Sequence, residues 1–69
     1  MPNAHVLIAD DDAALVRTMT WVLREHGYDV TATLEASQVV PLMAERTPDL
    51  VLLDVVFPDA DGTEVLEAI

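Results

Sequence analysis

Four aspartates follow two apolar segments of this chain and are its best-placed residues for chemistry. Asp10, Asp11 and Asp12 follow one apolar run, and Asp54 follows another. Carboxylates that a fold brings together raise each other's pKa, and a bound cation removes that cost. Mg²⁺ prefers a few carboxylates together with waters and phosphate oxygens. A carboxylate can also attack a phosphoryl group and form an aspartyl phosphate. The acidic residues therefore indicate a Mg²⁺ site, a phosphoryl acceptor, or both.

Ordinary structural roles also account for several aspartates. A single Asp beside a strand or helix commonly forms a turn or a helix N-cap, and we favour the N-cap for Asp12 and Asp61. Asp29, Asp49 and Asp59 are expected to be solvent-exposed loop positions. Such roles explain Asp10, Asp11 and Asp54 less well. These aspartates follow two separate apolar strands, and their carboxylates are expected at the same edge of the sheet.

Composition excludes several other functions. The 69 residues include no cysteine and no lysine, and 13 acidic and 3 basic residues give a formal charge of −10. Without cysteine there is neither a thiolate nucleophile nor a cysteine-based zinc site. The acidic surface argues against binding of nucleic acid or anionic membranes by this segment, and no stretch reaches the roughly 18 apolar residues of a membrane span. We expect one cytoplasmic domain whose surface suits a divalent cation or a basic protein partner.

Apolar runs alternate with helical patterns along the chain, which predicts the element order β-α-β-α-β-α. The predicted strands are His5–Ala9, Asp29–Thr33 and Leu50–Asp54. The predicted helices are Ala13–His26, a second from about Ser37 to Arg46 that starts close to Pro41, and a third from Asp61 onward.

The first predicted helix has an apolar stripe and a clear end signal. Leu15, Met19 and Val22 recur at helical spacing, and Val16 and Leu23 widen the stripe. The glycine that follows this helix can take the left-handed conformation of a helix C-terminus.

The element order predicts an α/β fold, a flavodoxin-like doubly wound parallel sheet. Right-handed crossovers place the strands in the order 2-1-3 with helices on both faces. Ligands of such sheets bind at the carboxyl ends of the strands, where the strand order reverses. That point lies between the first and third strands, which lie about 4.8 Å apart. Asp10, Asp11 and Asp54 are therefore expected to converge there.

The sequence around these aspartates resembles the receiver domain of two-component response regulators. The resemblance is carried by the apolar run that ends at Asp10-Asp11-Asp12, by Pro48–Asp54, and by Val55–Pro58 followed by Asp61-Gly62. It covers essentially the whole chain in the correct order. It implies that Asp54 accepts a phosphoryl group from a histidine kinase or phosphotransfer protein and that the domain then switches a partner or output domain.

The resemblance also implies a set of metal ligands. Asp11 and Asp54 would bind Mg²⁺, the backbone carbonyl of Val56 would be a third ligand, and Asp10 would support the metal through water or hydrogen bonds. Phe57 lies where the family often has methionine. A receiver of this kind is a signalling protein and catalyses at most its own phosphoryl transfer and dephosphorylation.

The chain departs from the family pattern in its length. Receivers have five strands, and residues 1–69 correspond to the first three. The switch Ser/Thr that follows strand 4 and the phosphate-pairing Lys that follows strand 5 have no counterpart here. We expect the chain to be the N-terminal portion of a receiver domain, or to associate with another chain through the apolar edge of Leu50–Asp54.

Two alternative functions remain open at this point. A receiver-like fold could dock a partner without being phosphorylated. Asp59–Thr63 (Asp-Ala-Asp-Gly-Thr) also resembles the Asp-x-Asp-Gly-Thr motif of haloacid-dehalogenase-like phosphatases, in which the first aspartate, here Asp59, is the nucleophile. That family needs a strand running directly into this aspartate, and Pro58 interrupts such a strand here.

Overall fold

Strands and helices alternate in the computed structural model, which describes residues 3–54. The elements are β1 (His5–Ala9), α1 (Ala13–Glu25), β2 (Asp29–Thr33), α2 (Val39–Glu45) and β3 (Leu50–Leu53), and a 3₁₀ turn at Ala36–Gln38 precedes α2. The strands form one parallel sheet in the order β2-β1-β3. The predicted order 2-1-3 is therefore confirmed, and the third predicted helix lies outside the described residues.

The central strand β1 is buried along its whole length. All five of its residues are buried, as expected for a parallel strand that is covered on both faces. Val6 pairs with Val30 of β2 and with Leu50 of β3. At the other end, Ala9 pairs with Thr33 and Leu53. The three strands therefore end level with one another, and the residues that follow them share one edge of the sheet.

Two apolar layers cover opposite faces of the sheet, because alternate residues of a strand point to opposite sides. One layer joins β1 to α1 and contains Val6, Ile8 and Val16, with Met19, Leu23, Val30 and Leu52 packed against it. The other joins β1 to the 3₁₀ turn and α2 and contains Leu7, Ala9, Ala36 and Val39, with Leu42, Met43, Val51 and Leu53 packed against it. Helices on both faces make the sheet doubly wound, as predicted.

The buried face of α1 differs from the predicted stripe. Val16 is buried, and Met19 and Leu23 pack beside it, whereas Leu15 is 43% exposed and Val22 is 39% exposed. The predicted stripe is therefore confirmed at Val16, Met19 and Leu23 and wrong at Leu15 and Val22. Leu15 instead lines an open cavity together with Leu52 and Leu53 of β3.

Side-chain and backbone hydrogen bonds define both ends of α1. Asp12 is the N-cap, and its carboxylate accepts a hydrogen bond of 3.1 Å from the Leu15 amide. At the C-terminal end, the amide of Tyr28 donates to Leu23 and that of Gly27 to Arg24, the hydrogen-bond pattern of a Schellman motif. Gly27 has φ +88°, a left-handed conformation that glycine adopts without steric cost. Both predicted caps are confirmed, and the helix ends one residue before His26.

Pro41 lies in the first turn of α2, which begins at Val39. Its missing N–H costs no hydrogen bond there, because the first four amides of a helix have no partner within the helix. The prediction that the second helix starts close to Pro41 is confirmed. Within residues 3–54, no helix is long and apolar enough to cross a membrane.

Asp29 and Asp49 make hydrogen bonds at the amino-terminal edge of the sheet; Asp49 lies in an exposed loop as expected, whereas Asp29 is half-buried in β2. Asp29 is the first residue of β2 and accepts a hydrogen bond of 2.8 Å from the Arg46 guanidinium, which holds the pKa of Asp29 below its ordinary value. Asp49 accepts a hydrogen bond of 2.7 Å from the amide of the buried His5, and its own amide donates to the His5 carbonyl at 2.7 Å. The sequence alone does not predict these contacts, because Asp29 and Arg46, like Asp49 and His5, are far apart in the chain.

Candidate metal centre

The carboxyl edge of the sheet positions the two aspartates that leave the first and third strands. Asp54 directly follows β3, and its amide donates to the Ala9 carbonyl at 2.9 Å, which extends the ladder by one residue. Asp10 directly follows β1, and its amide donates to the Thr33 carbonyl at 3.3 Å. Each backbone is therefore anchored to the neighbouring strand, and both carboxylates start from fixed positions. The predicted third strand ended at Asp54 and is one residue shorter here.

Three carboxylates meet at this edge. One oxygen from each of Asp10, Asp11 and Asp54 lies within 4.8 Å of the other two. Asp10 and Asp54 are half-buried, and Asp11 is exposed. The predicted convergence of the two strand ends is thus present in the structure, although Asp11 and Asp54 are 43 positions apart in the sequence.

The donor set fits a hard, oxygen-preferring cation. Ligands of Mg²⁺ lie about 2.1 Å from the ion, so two of them are about 3 Å apart when adjacent and about 4.2 Å apart when opposite. The three oxygens lie within 4.8 Å of one another, so side-chain adjustments would bring them to this geometry. All three donors are carboxylates, and no histidine or thiolate contributes, so the described ligand set suits Mg²⁺ better than Zn²⁺.

Asp12 takes part in the local structure of the cluster and lies outside the carboxylate set. Its side chain caps α1, while its amide donates to the Asp10 carboxylate at 3.0 Å. This short turn orients the Asp10 carboxylate and places the amino terminus of α1 beside the cluster. The partial positive charge of that terminus favours anions nearby.

Asp11 shows the electrostatic cost of the arrangement. The pKa of its carboxyl is raised above the ordinary value of 3.8, first because partial desolvation disfavours the charge, and further because the Asp54 and Asp10 carboxylates repel it. A hydrogen bond to its own backbone amide opposes this rise. Repulsion of this kind is what a bound cation would remove.

An open cavity of about 310 Å³ adjoins the two half-buried carboxylates. Its lining combines Asp10 and Asp54 with five apolar residues, namely Ile8, Leu15, Met19, Leu52 and Leu53. Sequence reasoning treated Leu15 and Met19 as parts of a helix stripe and missed that they form a wall of this cavity. No signal in the sequence distinguishes a wall residue from a core residue, because both are apolar positions on the same helix.

Other residues singled out from the sequence lie outside the described part of the chain. These are Val56, predicted as a carbonyl ligand, together with Phe57, Asp59 and Asp61.

Comparison with known protein families gives a match over nearly the whole chain. Residues 6–69 match the family described as the response regulator receiver domain. The chain is also 39% identical over 61 residues to the DNA-binding response regulator MtrA of Mycobacterium tuberculosis. That alignment covers 88% of this chain and 27% of MtrA, so the chain spans about a quarter of the curated relatives it matches.

Solved structures with the same architecture include several receiver domains. The N-terminal domain of a response regulator receiver protein from Methanoculleus marisnigri is 31% identical with a TM-score of 0.88, covering 94% of this chain and 53% of that one. The non-phosphorylated HemR receiver domain from Leptospira biflexa is 29% identical with a TM-score of 0.89, covering 96% and 53%. The chemotaxis response regulator CheY4 of Vibrio cholerae, at 24% identity and a TM-score of 0.91 over 97% and 56%, shares the fold.

Proposed function

The chain belongs to the response regulator receiver domain family, and on that premise we propose that Asp54 is its phosphoacceptor. The observation that carries the proposal is the meeting of Asp10, Asp11 and Asp54 at the carboxyl edge of the sheet. Asp54 directly follows β3, is tied to Ala9 by its amide and lines the open cavity. Asp10 shares these features on β1, so the choice of Asp54 over Asp10 rests on the family resemblance. A phosphorylated donor side chain has room to approach Asp54 from that cavity.

The reaction needs little from the protein beyond positioning. A carboxylate oxygen of Asp54 attacks the phosphorus of a phosphohistidine, and the phosphorus–nitrogen bond breaks as the new phosphorus–oxygen bond forms. The departing imidazole keeps the electron pair of the broken bond and takes up a proton from solvent. The product is an aspartyl phosphate, which brings up to two negative charges to this edge of the sheet.

Four residues, including the reacting Asp54 itself, would hold Mg²⁺. Asp11 and Asp54 would bind it directly, Asp10 through a water, and the carbonyl of Val56 is proposed as a further ligand by family resemblance. When bound there, Mg²⁺ would neutralise charge on the phosphoryl oxygens. The hydrogen bond from the Asp12 amide holds the Asp10 carboxylate in place for its supporting role.

The partners and domain limits follow from the same family. We propose a histidine kinase or phosphotransfer protein as the phosphoryl donor, with the domain acting as a signalling module whose own catalysis is confined to phosphorylation and dephosphorylation. We also propose that residues 1–69 are the N-terminal portion of a receiver domain, since they align with 53% of the solved receiver chain from Methanoculleus marisnigri. DNA binding is a property stated for MtrA, most of which has no counterpart in these residues.

Direct phosphorylation tests the assignment. The chain should gain the mass of one phosphoryl group when it is incubated with acetyl phosphate and Mg²⁺, and peptide mapping should place that group on Asp54. Asp54→Asn should abolish the adduct. Asp12→Asn is the matched control, because it removes one charge from the same acidic run while asparagine caps a helix about as well as aspartate.

The results separate the proposed function from its alternatives. No adduct in the wild-type chain, together with no spectral response to BeF₃⁻ and Mg²⁺, would favour a receiver-like interaction module. An adduct that persists in Asp54→Asn would refute the assignment of the acceptor. Hydrolysis of a phosphate monoester that is abolished by Asp59→Asn and retained in Asp54→Asn would instead indicate a phosphatase.

A further inference from the structure

Asp49 binds the backbone of β1 at the point where β1 and β3 begin. Its amide donates to the His5 carbonyl at 2.7 Å, and its Oδ2 accepts a hydrogen bond of 2.7 Å from the His5 amide. We call these two hydrogen bonds the Asp49 clasp. His5 is 3% exposed, so water does not readily replace the clasp when it is lost.

The register of β3 is poorly specified by its own side chains. Alternation of apolar and polar residues normally fixes the register of a strand, because a shift by one residue turns every apolar side chain to the wrong face. β3 has the sequence Leu-Val-Leu-Leu and is apolar at every position, so such a shift exchanges one apolar side chain for another. Its only neighbouring strand within residues 3–54 is β1. Contacts at the ends of β3 must therefore supply much of its register.

The clasp is specific to one register, whereas the backbone ladder is not. At the far end of β3, the Asp54 amide donates to the Ala9 carbonyl at 2.9 Å. Every residue of β3 carries an amide, so the backbone of a shifted strand offers the same kind of donor. A carboxylate that can accept from the His5 amide is present at Asp49, and the side chains of Leu50–Leu53 have none.

A change of register at Asp49 reaches the metal centre through β3. Asp54 lies five positions after Asp49, about 16 Å along a strand that rises about 3.3 Å per residue. A shift by one residue would move Asp54 by about 3.3 Å and turn its side chain to the opposite face of the sheet. One oxygen from each of Asp10, Asp11 and Asp54 lies within 4.8 Å of the other two, so this shift would take Asp54 out of the group.

We propose that Asp49 is a positioning residue for the phosphorylation of Asp54. The Asp49 clasp fixes the register of β3 on β1, and the strand then holds the Asp54 carboxylate beside those of Asp10 and Asp11. Asp49 acts through the strand and contacts neither the phosphoryl group nor the metal. This role rests on the proposed function, in which Asp54 is the phosphoacceptor.

Amide hydrogen exchange of the metal-free chain, measured by NMR, tests the clasp without phosphoryl transfer. The Asp54 amide reports on the contact of β3 with β1, and the Asp10 amide, which donates to Thr33, reports on the contact of β1 with β2. A general loss of stability accelerates the exchange of both amides equally. In Asp49→Ala, we expect the ratio of the Asp54 rate to the Asp10 rate to rise about tenfold, as for the loss of one buried hydrogen bond.

The rate of phosphorylation by acetyl phosphate at saturating Mg²⁺ tests the consequence for Asp54. Asp49→Ala should slow this reaction about tenfold or more, because a misplacement of about 1 Å can cost about a hundredfold in rate. Asp49→Asn should restore most of the rate, since its amide oxygen can still accept from His5. Asp49→Glu keeps the charge on a side chain that is longer by one methylene, and its rate should fall between those of the alanine and asparagine variants.

Thr31→Val is the matched control. It removes the 2.8 Å hydrogen bond between the Thr31 hydroxyl and Nε2 of His5. The same buried histidine then loses a bond on the β2 side, while the clasp stays intact. We expect the two exchange rates to keep their wild-type ratio and phosphorylation to proceed at the wild-type rate.

Several outcomes would overturn the role of Asp49. An unchanged exchange ratio in Asp49→Ala, or phosphorylation of that variant at the wild-type rate, would each do so, as would an equal loss in Thr31→Val. Should Asp49→Ala fail to fold, Asp49→Glu decides the matter by the same two measurements. A wild-type chain that gains no phosphoryl group would instead refute the proposed function, and the exchange ratio would still report on the clasp.

Discussion

Mg²⁺ should stabilise the fold in a way that depends on the carboxylate cluster. A ligand that binds only the native state at one site stabilises it by RT ln(1 + [L]/Kd). Above the dissociation constant, each tenfold rise in free Mg²⁺ therefore adds about 1.4 kcal/mol to the free energy of unfolding. For a domain of this size, that corresponds to a rise of about 6–11 °C in Tm. We expect the free energy of unfolding to rise with Mg²⁺ concentration as for a single bound ion, because the described residues contain one group of three carboxylates.

Substitutions within the cluster should separate two effects of charge. Asp11→Asn should raise stability at neutral pH without Mg²⁺, since it removes a repelled carboxylate, and should weaken the response to Mg²⁺, since it removes a ligand. The pH dependence has a definite sign. The pKa of Asp11 is raised in the native state, so its ionisation weakens the apo fold as pH rises from the ordinary value of 3.8 through the native value. The stabilisation by Mg²⁺ should grow over the same pH window.

The assay is urea unfolding, followed by circular dichroism, across a Mg²⁺ series at constant ionic strength. In wild type and Asp12→Asn, the free energy of unfolding should rise with Mg²⁺ as expected for one bound ion. In Asp54→Asn, this stabilisation should begin at a higher Mg²⁺ concentration. A KCl series serves as the control, because a chain of charge −10 gains stability from simple screening. A response equal to that of KCl, or an unchanged onset in Asp54→Asn, would refute the reasoning.

Three further predictions concern contacts away from this cluster. Asp49→Ala should lower the free energy of unfolding by about 1–3 kcal/mol, because the amide of buried His5 loses its acceptor; urea titration should show Asp49→Asn losing less. Arg46 lowers the pKa of Asp29, so this pair stabilises the fold above pH 3.8, and the contribution is lost as pH falls through the lowered native value. Arg46→Gln should flatten the stability–pH curve there, and an unchanged curve would contradict this. Leu7→Ala, at a position 1% exposed, should cost about 2–5 kcal/mol and remove the cooperative thermal transition; a retained transition near the wild-type Tm would contradict it.

The strand order was predictable because its signals are local. Three apolar runs, helical spacing between them and right-handed crossovers leave few arrangements open, and 2-1-3 is the observed one. The caps at Asp12 and Gly27 were predictable for the same reason, since each depends on residues within one helical turn. The face of α1 was predictable only in part: Val16, Met19 and Leu23 pack on the sheet as predicted, whereas the equally apolar Leu15 and Val22 stay partly exposed.

The sequence by itself therefore determined which residue types stand at the strand ends, the acidic balance of the surface, and the family to which the chain belongs. The sequence also predicted the cap at Asp12 and the meeting of Asp10, Asp11 and Asp54, which the structure contains. Only the tertiary structure showed the pairing of Asp29 with Arg46 and of Asp49 with His5. The partners of Asp29 and Asp49 lie 17 and 44 positions away in the sequence, so no local pattern indicates them and only the packed fold brings them together.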